Sequence, residues 1–229
     1  TIPLPNAKES VWKLNAETIG VYRVAYSPEH LAKLGKAAAQ KDSAFSLEDR
    51  VGLVSDAFTL AQAGYSKTSG GLALMHALRG DNSSLVNTAA ALNLGKLASV
   101  WWEQPQSVRD GINRFRADVF GPMARELTFE FGANDSSELR ELRETVITAA
   151  ASAGDTWTLD EIRRRFAPLQ EHGDYSLIHP DLLRTVLSQA VKHGGEAEYE
   201  TVMGVYRAPP TPAHKTSAMV ALGTTQDAA

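Results

Sequence analysis

The sequence predicts a mainly α fold, an irregular αα-superhelix preceded by a short β-hairpin. Three observations predict it. From residue 27 onward, apolar residues recur at spacings of three and four, with capping signals before them and glycines after them. The links between these periodic segments are short, which makes successive helices antiparallel neighbours. About ten such segments follow one another without a sequence repeat, which suits an irregular superhelix better than a four-helix bundle.

Residues 1–26 read as strands and turns. Thr1-Ile2-Pro3-Leu4-Pro5 is extended and proline-punctuated, and a polar link follows it. Val11-Trp12-Lys13-Leu14-Asn15 and Val21-Tyr22-Arg23-Val24-Ala25-Tyr26 alternate around a turn containing Gly20, a hairpin signal. A lone hairpin is marginal in water, so these strands need something to pair with. Ser27-Pro28-Glu29 then opens the first helix with a capping hydroxyl and a proline at the first helical position. Ser46-Leu47-Glu48-Asp49 is a capping box with Asp for Glu; Leu47, Val51, Val54, Phe58 and Ala61 form its stripe, and Gly64 closes it. Helices are expected over 67–79 and 84–102. Ser107 opens another, carrying Ile112, Phe115 and Val119, with a kink or break near Pro122. Asp135-Ser136-Ser137-Glu138 caps the helix of Leu139, Leu142, Val146 and Ala149. Thr158-Leu159-Asp160-Glu161 caps that of Leu159, Ile162 and Phe166, ended by Pro168. His179-Pro180-Asp181 starts the helix of Leu182, Leu183, Val186, Leu187 and Ala190, stopped by Gly194-Gly195, and helices over 196–206 and 212–223 complete the chain.

Composition narrows the function. With 229 residues, the chain can bury roughly 70% of its unfolded surface and needs no disulfide staple. Lys and Arg number 23 against 27 Asp and Glu, a net charge of -4, which lacks the basic footprint of a nucleic-acid binder. No apolar run approaches the roughly 20 residues that span a bilayer, and no signal peptide opens the chain. Zero cysteines exclude thiol catalysis and thiolate metal ligands. The expectation is a cytoplasmic protein with no nucleic-acid and no membrane partner.

The search for catalytic chemistry returns none. The histidines His30, His76, His172, His179, His193 and His214 form no His-x-x-x-His or His-Glu-x-x-His pair and read as scattered surface residues. There is no nucleophile elbow, phosphate loop or dinucleotide fingerprint, and Ser69-Gly70-Gly71 stands alone. Arg163-Arg164-Arg165, beside Asp160 and Glu161, reads as a solvated helix face with ion pairs, as do Glu138, Glu141 and Glu144 with Arg140 and Arg143. Arg79-Gly80-Asp81 matches a cell-adhesion tripeptide, but three common residues in a turn arise by chance in many chains. The sequons at Asn82 and Asn134 matter only in a secretory context, which the sequence does not show. Trp101, Trp102, Phe115, Phe120, Phe129 and Phe131 read as core rather than a ligand platform. No catalytic, cofactor-binding or metal-binding residue is assigned.

Trp12-Lys13-Leu14-Asn15 followed by Gly20-Val21-Tyr22-Arg23-Val24-Ala25-Tyr26-Ser27 resembles the start of the C-terminal helical domain of puromycin-sensitive-type zinc aminopeptidases (the gluzincin aminopeptidase family). The resemblance continues through Asp49-Arg50-Val51-Gly52-Leu53-Val54-Ser55-Asp56-Ala57-Phe58 and Leu60-Ala61-Gln62-Ala63-Gly64. It returns at Arg163-Arg164-Arg165-Phe166, Val191-Lys192-His193-Gly194 and Ala221-Leu222-Gly223-Thr224-Thr225. It implies a parent with a β domain, a thermolysin-like zinc domain, a small β-sandwich and a helical bowl of HEAT/armadillo-like character. Residues 1–26 would be the terminal strands of the β-sandwich, and 27–229 a helical domain truncated at its C-terminal end. The family's His-Glu-x-x-His motif and Gly-x-Met-Glu-Asn motif do not occur here. Zinc would therefore belong to the parent and not to this chain.

Two functions remain. One is the non-catalytic helical portion of a zinc aminopeptidase, shaping substrate access and peptide binding, with the catalytic and β-sandwich domains and the peptide substrate as partners. The other is a free-standing α-solenoid that binds a protein or peptide. Unpaired strand edges at 1–26 and an uncapped final helix predict self-association through exposed ends.

Overall fold

Ser27 Oγ accepts the backbone N–H of His30 and Ser46 Oγ that of Asp49, and each starts a helix where the sequence places one. The computed structural model describes residues 10–226, and the segment expected to be extended at Thr1–Pro5 lies outside them. The described residues form ten α-helices. They are α1 (Pro28–Ala38), α2 (Leu47–Gln62), α3 (Thr68–Leu78), α4 (Ser84–Val100), α5 (Gln106–Leu127), α6 (Ser137–Ser152), α7 (Thr156–His172), α8 (Leu183–His193), α9 (Glu196–Arg207) and α10 (Pro212–Leu222). They fall into two compact units, one ending at Glu103 and the other beginning at Gln104.

In the first unit α1 packs on α3, and α2 packs on α3 and α4. Leu34, Leu53, Val54, Leu74, Met75 and Leu94 are its fully enclosed centre. Each such side chain contributes about 1.5–3 kcal/mol relative to exposure. Gly64, at φ 80°, ends α2: its N–H bonds Ala61 O and the next N–H reaches back to Leu60 O, a turn that favours a residue without Cβ.

In the second unit α5, α6, α7 and α8 each pack on the next, and α10 packs on α8 and α9. Phe120, Ile147, Ile162, Leu182, Val186 and Leu187 are enclosed. The α6–α7 joint is compressed into three residues. Gly154 takes φ 83°, Asp155 N–H closes α6 on Ala150 O, and the Asp155 carboxylate opens α7 by accepting Thr158 N–H and Oγ–H.

The expected hairpin needs correcting. Among the described residues there is no strand. Asn15 uses its side chain on Gly20 N–H, Gly20 O and Tyr22 O, and residues 16–18 make a 3-10 turn where ladder pairing was expected. Three helix-boundary expectations also change. Asp155, not Thr158, is the cap of α7. Helices α5 and α7 run through Pro122 and Pro168 because the buried residues on either side, Phe120 and Met123, Phe166 and Leu169, keep packing. Of the expected core positions, Val54, Phe58, Leu142, Ile162, Phe166, Leu183 and Val186 are buried, while Val51 and Phe115 are half-buried. Trp102 is exposed, so the tryptophan pair is not core.

Candidate functional site

The motif residues at the start of the chain build a dock between residues 12–26 and the helices α1 and α2. Asp49 closes the capping box on Ser46 N–H, accepts Glu17 N–H at 2.7 Å, and pairs with Lys13 Nζ at 2.7 Å, both side chains being buried. Burial alone would raise its carboxyl, but Lys13 and the N–H groups of Glu17 and Ser46 outweigh it and hold it below the ordinary value. Gly52 lies one turn further along, and a Cβ there would collide with Thr18 Oγ1, which donates to Glu48 O. Asp56 accepts Arg23 Nη1 and Val24 N–H. Tyr26 is buried with its hydroxyl accepting Leu14 N–H, and His30 lies tilted against Trp12 with ring centroids 4.3 Å apart while its Nε2 meets Trp12 O. The Asp-Arg-x-Gly-x-x-x-Asp run is thus the receiving face of one joint.

The adhesion-like tripeptide is a structural corner. Asp81 pairs with Arg50 at 2.5 Å with its carboxylate almost fully buried, accepts Ser83 N–H, and lends its carbonyl to Asn87.

In the second unit, two arginines expected on solvated faces are enclosed. Arg165 pairs with Glu130 and Glu161 and lies over the Phe129 ring. Arg143 pairs with Asp135, donates to Leu127 O, and lies 4.6 Å over Phe131, whose other stacking partner is His179 at 3.7 Å. Arg163 and Arg164 remain exposed and paired with Asp160 and Glu161, as expected. The Phe129–Phe131 strap thereby ties α6, α7 and the α8 approach together.

Arg163 and Phe166 of one later motif and His193 and Gly194 of another line a cavity of about 290 Å³ among α7, α8 and α9. Leu159, Ile162, Phe166 and Ala190 supply apolar wall; Arg163, Gln170, Gln189, His193 and Glu198 supply polar groups. Gly194 stops α8 where a Cβ would strike Ala190 O and the Glu198 stem, and so lets Glu198 cap α9 on Gly195 N–H. Thr224 Oγ1 ties the end of α10 to Ser188 O. Burial, then the nearby charges of Lys192 and Arg163, holds His193 below its ordinary value. Gln189 is only 8% exposed, and among the described residues its Oε1 has no hydrogen-bond donor. Sequence reasoning did not single out Gln189; its signal was an amide inside the otherwise apolar stripe of α8.

The histidines stay apart: His30 packs tilted against Trp12, His179 stacks on Phe131, His193 lines the cavity, and His214 bonds Thr211 Oγ1. Among the described residues no group of three or more His, Asp or Glu side chains is placed to hold a metal ion. No described helix is long and apolar enough to cross a membrane.

This helical architecture, with its motif-built dock and cavity, has a match. The family model for the ERAP1-like C-terminal domain covers residues 12–229, and the chain belongs to that family. Its relatives are aminopeptidases. It is 30% identical over 223 residues to aminopeptidase 2 of Candida albicans, covering 97% of this chain and 24% of the relative. It is 30% identical over 220 residues to the alanine/arginine aminopeptidase of Saccharomyces cerevisiae, covering 96% and 25%. It is 26% identical over 194 residues to the puromycin-sensitive aminopeptidase of Caenorhabditis elegans, covering 84% and 20%. The chain spans about a quarter of the length of these relatives or less.

Proposed function

We propose that this chain is the non-catalytic helical portion of a zinc-dependent aminopeptidase, where it shapes access to the catalytic chamber and contacts the peptide. The observation that carries the reading is the match of nearly the whole chain to one domain-sized part of several aminopeptidases. The described residues do not fit zinc, since no three donors converge. The ion and its water-activating chemistry would belong to other domains of the parent.

In this reading residues 1–26 are the end of a preceding β-sandwich domain and 27–229 the helical domain. Ile19, Val21 and Tyr22 are exposed, and the strands of the preceding domain would cover them. Without those strands, this edge and α10 are where the isolated chain would self-associate. The packing of each helix from α5 to α10 on the next, in the second unit, supports HEAT/armadillo-like repeats. The parent would work in the cytoplasm.

The test is the encoding reading frame and its product. A frame running several hundred residues upstream into His-Glu-x-x-His is expected. A frame that starts at this chain would overturn the reading in favour of a free-standing binding module.

A further inference from the structure

Five charged side chains are buried among the described residues, and four of them meet an opposite charge. Asp49 meets Lys13, Asp155 meets Arg125, Arg143 meets Asp135, and Arg165 meets Glu130. Arg116, on α5, is the exception: it is only 8% exposed, and no described carboxylate pairs with it. Its Nη1 donates to Asn113 Oδ1 and its Nε is sealed in the packing, while Nη2 keeps access to solvent and has no described partner. Lys192, half-buried on α8, lies within the field of this guanidinium. Burial, then the Arg116 charge, holds its ammonium below the ordinary value, and no described group accepts from it. Arg109 lies two turns before Arg116 on the same side of α5, and its Nη2 is taken up by Gln106 Oε1 rather than by an acid. Removing a charge from water without a counter-charge is costly, and two cations that repel each other make it more so.

We propose that the face of α5 and α8 bearing Arg116 and Lys192 docks an acidic segment of the parent polypeptide outside this chain, one Asp or Glu carboxylate of which takes Arg116 Nη2 and Lys192 Nζ. The charge is complementary, and the open edge of a planar guanidinium beside an ammonium suits the two oxygens of a carboxylate. A buried ion pair repays its desolvation only when its geometry is held, which a side chain carried on a packed segment provides and a free ion does not. Within this chain the same solution recurs: buried Arg165 takes Glu130, an acid 35 residues away. The chain spans about a quarter of the length of its relatives, so the segment that would supply the missing acid has ample sequence to come from. The inference deepens the function proposed above, naming where and by what chemistry another part of the parent packs, and it rests on that function for the source of the acid.

The test is zero-length carbodiimide coupling of the product of the full reading frame, read by peptide mass spectrometry. Coupling joins an amine to a carboxyl carbon with loss of water and inserts no spacer, so it reports acids already in ion-pair contact. An amide between Lys192 and an Asp or Glu encoded outside residues 1–229 is expected. Arg116→Met supplies a second readout. In the chain alone it removes an unpaired buried charge and should raise the melting temperature by about 2–4 °C; in the full product it strips a carboxylate of its partner and should lower it. No such amide in the wild-type product, or an amide only to acids within residues 1–229 of the same or a second copy, would overturn the proposal whether or not the variant folds. A variant that shifts both proteins in the same direction would overturn it too. A full product that carries the catalytic motif but shows no coupling would remove this acid-binding face and leave the proposed function standing. A reading frame confined to this chain would overturn the proposed function, and this inference with it.

Discussion

Replacing Asp49 by alanine should be among the most damaging changes in the first unit. The carboxylate serves three donors: Lys13 Nζ, Glu17 N–H and Ser46 N–H. Both members of the Lys13–Asp49 pair are buried, with side-chain exposures of 7% and 9%. Removing one partner of such a pair leaves an uncompensated charge and costs about 3–5 kcal/mol. The capping box at α2 is lost with it, a contribution of about 1 kcal/mol that overlaps the first because one carboxylate makes both. The assay is urea denaturation at pH 7. A companion variant carrying Lys13→Met with Asp49→Leu should recover most of the loss, since no charge then stays buried. The pH dependence has a definite sign. The folded carboxyl lies below its ordinary value of 3.8, so its stabilisation is present above that value and is lost as pH falls below it. Asp49→Ala should therefore flatten the acid limb of the stability curve. A loss within about 0.5 kcal/mol, the range of an ordinary surface substitution, would refute the reasoning. So would a double variant no better than the single.

Gly52→Ala should push residues 16–18 off α2 at a cost of about 1–3 kcal/mol, and Thr18→Gly, which removes the colliding hydroxyl, should rescue it; melting temperatures read both. Asp155→Ala should cost about 2–4 kcal/mol in chemical denaturation, because it removes the α7 cap and leaves the fully buried Thr158 hydroxyl without its acceptor. Burial, foremost, lowers both His179 and His193, with Lys192 and Arg163 adding at His193, and with Asp181 opposing and Arg140 and Arg143 adding at His179. Their stabilisation is full above the ordinary value of 6.5 and is lost as pH falls through the folded values, so melting temperature should drop on acidification from pH 7.5 and drop less in His179→Gln/His193→Gln.

What was legible in the sequence was local. Ser27, Ser46 and Ser136 cap the helices they precede, because a cap and its N–H lie three residues apart. Gly64 marks a turn of positive φ for the same local reason. Pro122 and Pro168 misled, because each removes one hydrogen bond, to the carbonyls of Asp118 and Arg164, while tertiary packing holds the helix on both sides. Arg143 and Arg165 looked solvated because nearby acids could pair with them locally. The structure instead gives them carbonyl, carboxylate and aromatic partners 16 to 36 residues away as well, a relation no local pattern encodes. The cavity was invisible for the same reason. Its lining comes from three helices, and its orphan, Gln189, sits in a stripe that otherwise reads as plain core.

The central claim is that this domain accompanies catalysis without performing it. Zinc content and chelator-sensitive cleavage of an aminoacyl-arylamide, measured side by side on the purified chain and on the product of its full reading frame, test that most directly. The account predicts about one zinc and turnover in the full product, because catalytic zinc requires three preorganised ligands, and neither in the chain alone. Stoichiometric zinc with chelator-sensitive turnover in the chain alone, or no turnover in the full product, would contradict it.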